Sequence, residues 1–137
     1  MAKTVLKDVK FVINGVDLSA WVSSVTINES YAEVETTANG DSSRKRTAGL
    51  GDHSVDVEFQ QDWAASAVSQ TIRPLLGATA ACTVVPVSST SVSSTNPSYA
   101  FDVLVNEWHE VTQGAVGDLA MSSQSWPISG GITKGTT

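Results

Sequence analysis

Cysteine is almost missing from this sequence. Cys82 is the only one, so an intramolecular disulfide is excluded. It stands in the apolar run ATAACTVVPV, where a buried thiol is more common than a reactive one. Basic residues are also few, with 8 Lys and Arg against 14 Asp and Glu and a net charge of −6. A general nucleic-acid-binding protein needs a basic surface that displaces counterions from phosphates. The charge therefore argues against tight DNA binding, but it permits contact with DNA that does not retain it.

Long hydrophobic runs are missing too. No apolar stretch approaches the roughly 20 residues of a membrane-spanning helix, and the first ten residues lack the apolar segment of a signal peptide. We therefore expect no membrane span and a chain that is made in a cytosol-like compartment.

Motifs of catalysis and metal binding are missing as well. The sequence contains no G-x-S-x-G, no HExxH and no paired Cys/His spacing. His53 and His109 fall in predicted strands, where surface or interface positions are the ordinary interpretation. The GLGD segment at 49–52 lacks the third glycine of a dinucleotide fingerprint and leads into a strand. We predict no catalytic residue, no cofactor and no metal.

The residues that are present predict a mainly β protein. Residues 53–59 alternate apolar and polar side chains, and Asn14-Gly15 is a strong hairpin signal. About seven strands and one helix over 62–76, capped by Asp62 and broken near 71–73 by Pro74, indicate a β-sandwich or partial barrel with one flanking helix. The expected organisation is a single domain over 1–137, with a loop at 38–52, a polar loop at 88–97 and a polar tail at 130–137.

The loop at 38–52 contains three consecutive basic residues, Arg44, Lys45 and Arg46, in an otherwise acidic protein. Three charges are too few to hold DNA, because salt screens them beyond about 8–10 Å. They suit pairing with acids on a neighbouring chain, and a merely solubilising exposed loop remains the alternative.

Several segments together resemble the major tail tube proteins of long, non-contractile-tailed bacteriophages. They are VETTANGD, AGLGDHSVDVEF, QDWAA, NPSY, GAVGDLA and WPISGGIT, which occur in the order found in that family. The resemblance implies that six subunits form a ring whose inner strands complete a shared barrel. Stacked rings would form the tail tube of the virion, assembled in the bacterial cytoplasm, through which double-stranded DNA is ejected. The implied partners are further copies, a tape measure protein, a tail terminator and distal tail proteins.

The resemblance also gives roles to particular residues. The loop that reaches a neighbouring subunit or ring would use Asn39, Gly40, Asp41, Arg44, Lys45 and Arg46. Its acid partners on the neighbour would be Glu107, Glu110 and Asp118. The candidate residues that face the lumen are Glu33, Glu35, Asp56, Glu58, Ser122 and Gln124.

Two alternatives stay open at this point. One is a tube or terminator protein of a contractile tail or secretion system with the same fold. The other is a carbohydrate-binding adhesin, which would need an exposed aromatic platform such as Trp108 or Trp126.

Overall fold

A computed structural model describes residues 5–112 and 115–137 of the chain. Within these ranges the fold is mainly β, as predicted. Its elements are β1 (Lys10–Ile13), β2 (Val16–Asp17), β3 (Val22–Asn28), β4 (Tyr31–Glu35), β5 (Arg46–Gly51), β6 (Ser54–Gln60), α1 (Val68–Ile72), β7 (Thr79–Val85), β8 (Ser98–Leu104) and β9 (Met121–Gly135).

Seven of the strands form one antiparallel sheet in the order β2-β1-β7-β8-β9-β6-β3. The predicted hairpin joins β1 to β2, and Asn14 and Gly15 both have positive φ angles of 51° and 79°. Such angles suit the two central positions of a tight hairpin turn. The long strand β9 is divided between two partners, because residues 121–127 pair with β6 and the later residues pair with β8.

The sheet curls around a single core. Phe11 of β1 and Phe59 of β6 meet edge to face with ring centroids 5.6 Å apart, although three strands lie between them in the sheet. Trp126 and Val103 are fully buried in the same cluster, with Ile72 of α1 packed over it. The architecture is therefore a partial barrel with one short helix, in agreement with the predicted fold class.

The predicted loop at 38–52 is wrong in its second half. Residues 46–51 form strand β5, which pairs with β4 as a separate two-stranded sheet. We call residues 30–52 the hairpin. The open stretch is shorter than predicted, because Lys45 N–H donates to the Thr37 hydroxyl and Thr36 N–H donates to the Lys45 carbonyl, extending the ladder toward the tip.

The predicted helix at 62–76 begins six residues too early. Asp62 does not cap it: its carboxylate accepts hydrogen bonds from the Trp21 indole at 2.9 Å and from Ala64 N–H at 2.9 Å. Ser66 then has a positive φ of 62°, which interrupts helical geometry, and α1 starts at Val68. Its end at Ile72, before a short 3-10 turn that contains Pro74, agrees with the predicted break. No helix in the described ranges is long and apolar enough to cross a membrane.

The predicted tail at 130–137 is also corrected, because β9 continues to Gly135 against β8. The polar loop at 88–97 lies outside the strands, as expected. It is organised by the buried Asn96, whose amide donates to the carbonyls of Val87 and Thr90 at 3.0 Å each.

Candidate functional site

The outer surface of β3, β6 and β9 presents a continuous polar face. The pairs Thr26–Asp56 and Asp56–Ser125 place hydroxyls on both sides of one carboxylate, and Ser24 and Ser123 flank Glu58 in the same way. The polar face consists of Ser24, Thr26, Asn28, Asp56, Glu58, Ser123 and Ser125. Its charges are the two carboxylates of Asp56 and Glu58, and its members include no cation.

Asp56 is held as a carboxylate. Two hydrogen bonds hold the pKa of Asp56 below its usual value. The larger effect comes from the Ser125 hydroxyl and the smaller one from the Asn28 amide, at 3.0 Å. The predicted alternation of β6 is confirmed, since Val55, Val57 and Phe59 are buried while Asp56 faces out.

Ser122 and Gln124 are misplaced by the sequence interpretation. They share one face of β9, as predicted, but that face is the buried one. The Ser122 hydroxyl donates to the His109 carbonyl at 2.7 Å, and its Oγ lies 3.0 Å from Gln124 Oε1. Both residues therefore belong to the interior of the subunit and do not line a surface.

The basic residues of the hairpin lie beside acids of the same hairpin. Arg46 contacts Glu33, Arg44 lies 4.0 Å from Glu35, and Lys45 Nζ lies 3.0 Å from Asp41. Both partners are exposed in the pairs of Arg44 and Arg46, whereas Asp41 is half-buried beneath the exposed Lys45. Ion pairs at the surface contribute about 0–1 kcal/mol. Exchange of these partners for acids on another copy therefore costs little, and that intersubunit pairing stays a prediction.

The tip of the hairpin is a compact turn. Asp41 accepts the Ala38 N–H at 2.7 Å, and this bond, followed by the contact with Lys45, holds the pKa of Asp41 below its usual value. Gly40 has a φ of 96°, which favours glycine. Asn39 sits in the same turn, so three of the predicted loop residues are positioned together.

The three predicted acid partners already accept hydrogen bonds within their own chain. Glu107 accepts from Ser125 N–H at 2.8 Å, and Asp118 accepts from Ala115 N–H at 3.0 Å. Glu110 accepts the most hydrogen bonds of the three, and it lies in the segment after β8, against α1.

Glu110 joins three donors into one cluster. Its carboxylate accepts from the Trp63 indole at 3.1 Å, from the Ser69 hydroxyl and from the Trp108 indole. The Ser69 bond is the largest cause that holds the pKa of Glu110 below 4.5, and the two indoles add to it against the opposing effect of desolvation. Its observed contacts fix α1 to the chain after β8, and its pairing with a neighbouring copy stays a prediction.

The sugar-binding alternative loses its proposed platform. Trp126 is fully buried and its indole donates to the Glu107 carbonyl at 2.9 Å. Trp108 is partly buried against Phe59. Trp126 therefore cannot stack on a sugar, and Phe59 covers part of Trp108.

We searched the described residues for a metal site and for a reactive thiol. Within residues 5–112 and 115–137 no three His, Cys, Asp or Glu side chains converge as metal ligands would. Burial raises the pKa of Cys82 to about 12, so its thiol remains protonated and unreactive at neutral pH.

Sequence reasoning missed two groups of surface residues. The hydroxyls of the polar face could have been predicted from the alternation along β9. Ser123 and Ser125 fall on the face opposite to the large apolar residues Trp126 and Ile128. The second group is a set of exposed apolar side chains near the ends of the molecule, and no sequence pattern marks it.

Comparison with solved structures shows the fold over almost the whole chain. A chain of the virion of a native gene transfer agent particle superposes with a TM-score of 0.74 at 12% identity, covering 96% of this chain and 98% of the other. The SPP1 tail tube gives 0.72 at 14% identity, covering 95% and 77%. A chain of the six-fold symmetrised anti-feeding prophage baseplate gives 0.62 at 11% identity, covering 98% and 97%. No family model and no curated protein matches the sequence. The chain therefore has the fold that these tail and baseplate proteins share.

Proposed function

We propose that this chain is a structural subunit of a bacteriophage tail tube and has no catalytic activity. The observation that carries the proposal is the end-to-end likeness of fold to a chain of the gene transfer agent virion and to the SPP1 tail tube. The likeness leaves no room for an added catalytic domain within these residues, since it covers 95% or more of the chain.

Two features of the subunit support assembly. The outer edge of β3 has no strand partner among the described residues, and exposed edges invite pairing with another chain. The hairpin stands apart from the main sheet and presents its residues to solvent. A ring of copies, six in the arrangement we favour, would cover the β3 edge, and stacked rings would engage the hairpin.

Purified protein tests the proposal directly. We expect negative-stain electron microscopy to show hollow tubes or stacked six-fold rings, and size-exclusion chromatography to show mass rising with concentration. A chain that stays monomeric at every concentration, with no ring or tube in the images, contradicts the proposal.

The polar face is our candidate for the lumen wall, with Asp56 and Glu58 as its charges. Glu33 and Glu35 are proposed to contribute from the hairpin at the edge of the channel. A wall of hydroxyls and carboxylates has the right sign for a conduit, because it gives phosphates nothing to bind.

Reversing these charges should make the channel retain DNA. We expect tubes of the double variant Asp56→Lys, Glu58→Lys to bind duplex DNA at low salt and to release it as salt rises, because lysines exchange counterions with phosphates. The neutral variant Asp56→Asn, Glu58→Gln is the matched control and should bind no more DNA than wild type. Cosedimentation with labelled duplex measures both. If the lysine variant binds no more DNA than wild type, the polar face does not line the lumen.

A tube protein of a contractile system is the second candidate, since the baseplate likeness covers 98% of the chain. The higher TM-scores of the virion and SPP1 chains favour the first candidate. Binding of a sheath protein to the outside of assembled tubes would reverse that order. In either case the proposed partners are further copies, a tape measure protein, a terminator and distal tail proteins, and the proposed location is the virion tail after assembly in the host cytoplasm.

A further inference from the structure

The sequence contains two Asn-Gly pairs, and each lies in the turn that joins two antiparallel strands. Asn14-Gly15 joins β1 to β2, and Asn39-Gly40 lies at the tip of the hairpin, between β4 and β5. All four residues are exposed to solvent. The two pairs therefore share their local chemistry and their exposure, and they differ only in how the fold holds them.

An exposed asparagine that precedes glycine can lose its side-chain amide without an enzyme. The glycine nitrogen gives its proton to solvent and attacks the asparagine Cγ, and the bond from Cγ to Nδ2 breaks. The departing NH₂ group takes a proton from water and leaves as ammonia, so a five-membered cyclic imide remains. Water then opens the imide on the Cγ side to give aspartate, or on the backbone side to give isoaspartate. The balance is one water consumed and one ammonia released, with no change of oxidation state.

The other three asparagines are poorly suited to this reaction. Asn96 precedes Pro97, whose nitrogen carries no hydrogen and cannot attack. Asn28 and Asn106 each precede a glutamate, whose side chain hinders the attack of its own backbone nitrogen. The Asn28 amide is also bonded to the Asp56 carboxylate at 3.0 Å. Only the two Asn-Gly pairs therefore remain as candidates.

The turn at Asn14 is held by three strands. Ile13 and Val16, on either side of the turn, pair with each other in the β1–β2 ladder. The Asn14 N–H donates to the Ala81 carbonyl of β7 at 2.8 Å. Ring closure requires rotation about the bond between the asparagine Cα and its carbonyl carbon. In this turn such a rotation would separate β1 from β2, so the fold opposes the reaction.

The turn at Asn39 is held by its own residues. The Asp41 N–H donates to the Ala38 carbonyl at 3.1 Å, and the Ala38 N–H donates to the Asp41 carboxylate at 2.7 Å. Residues 42–44 follow outside any strand, and the β4–β5 ladder ends before the turn begins. A rotation at Asn39 is therefore absorbed by residues 42–44 without the loss of a strand pair.

Steric access to the attacking nitrogen does not distinguish the two pairs. Apart from its chain neighbours, no described residue comes within 4 Å of the place where a β-carbon of Gly40 would stand, and the same is true of Gly15. Both glycines have positive φ angles, 96° for Gly40 and 79° for Gly15. The difference between the pairs is therefore the freedom of the turn to rotate.

We propose that Asn39 is a site of spontaneous deamidation and that the fold protects Asn14 from the same reaction. Residues 36–46 contain three basic residues and one acid, a charge of +2, and conversion of Asn39 adds a second acid and lowers that charge to +1. The isoaspartate product also inserts a methylene group into the backbone, so the turn between Ala38 and Asp41 must rearrange. The site exists in the isolated chain and does not depend on the proposed tube function.

Peptide mass spectrometry of the aged protein tests the proposal. The folded wild-type chain is incubated at pH 8.5 and 37 °C and then cleaved after glutamate, which places Asn14 in residues 1–29 and Asn39 in residues 36–58. Replacement of NH₂ by OH raises the mass of the fragment, and an isoaspartate methyltransferase labels the rearranged product. We expect Asn39 to convert about tenfold faster than Asn14, because the Asn14 turn must first give up strand hydrogen bonds.

Unfolding separates the effect of the fold from that of the sequence. In guanidinium chloride both turns are lost, and we expect the two asparagines to convert at similar rates. If the tenfold difference persists there, the neighbouring sequence causes it and the protection by the fold is wrong.

Asn39→Gln is the matched control in the folded chain. Its longer side chain would have to form a six-membered imide, which closes much more slowly, so residues 36–58 should keep their mass. A folded wild-type chain in which Asn14 converts as fast as Asn39 overturns the protection. A folded chain in which Asn39 does not convert overturns the site itself.

Discussion

Replacement of residues 31–51 by an Asn-Gly turn is expected to abolish tube growth while the seven-stranded sheet stays folded. The two ends of the hairpin already lie together, because Asp52 N–H donates to the Ser30 carbonyl at 2.7 Å. A two-residue turn therefore closes the gap. The β4–β5 ladder is internal to the hairpin, so its removal leaves no strand of the main sheet unpaired. The main contact that is lost is the edge-to-face packing of Tyr31 on His53.

Electron microscopy and thermal unfolding followed by circular dichroism separate the two effects. We expect no tubes, and a melting transition that remains cooperative. The full-length variant Arg44→Gln, Lys45→Gln is the control, because it keeps the length and the apolar residues of the hairpin and loses only the surface ion pairs of Arg44 with Glu35 and of Lys45 with Asp41. Normal tubes from the shortened chain would mean that the main sheet makes every contact needed for growth. Failure of the Gln control would assign the contact to charge instead.

Glu110→Gln is expected to lower the free energy of unfolding by about 2 kcal/mol at pH 7, roughly a 30-fold change in the unfolding equilibrium. The glutamine amide retains one acceptor oxygen, so it can keep the bonds from Ser69 and Trp63 or the bond from Trp108, but not both sets. The Trp108 indole faces the new NH₂ group, and two donors then oppose each other. Asp118→Asn is the matched control: its carboxylate accepts one exposed backbone N–H, so a much smaller change is expected.

The same variant predicts a pH dependence. The pKa of Glu110 is lowered by folding, so its stabilising effect is complete above the unfolded pKa near 4.5 and is lost as pH falls through the folded value. Urea unfolding should therefore show the gap between wild type and Glu110→Gln shrinking below about pH 4.5. A gap that stays constant down to pH 3 would show that the carboxylate charge does not hold the cluster.

Local chemistry predicted much of this fold. The Asn14-Gly15 turn, the alternation along β6 and the break before Pro74 each depend on neighbouring residues, so a short window of sequence contains the whole cause. Strand β5 lacks such a signal, since Arg46, Gly49 and Gly51 resemble loop residues. It becomes a strand because β4 supplies the opposite half of the ladder.

The wrong predictions have a different origin, because they depend on contacts between residues that are distant in the sequence. Asp62 looked like a helix cap, but Trp21, which is distant in sequence, supplies a donor to its carboxylate. The sequence interpretation makes Ser122 and Gln124 candidates for the lumen face of the last strand. Both residues lie on the same face of β9 as Trp126, because side chains alternate along a strand. The Trp126 indole is fully buried, so Ser122 and Gln124 are buried with it. The exposed apolar side chains near the ends of the molecule were unpredictable for a different reason, because exposure is a property of the folded chain.

The division of β9 between β6 and β8 has a kinetic consequence. This strand follows all the others in the chain, yet it occupies an interior position and joins β3–β6 to the remaining four strands of the sheet. During synthesis the facing edges of β6 and β8 stay unjoined until residues 121–135 emerge from the ribosome. Pairing of such distant segments is slow compared with local hairpin formation. A nascent chain therefore completes its sheet late, and the proposed self-association would wait until translation has passed β9.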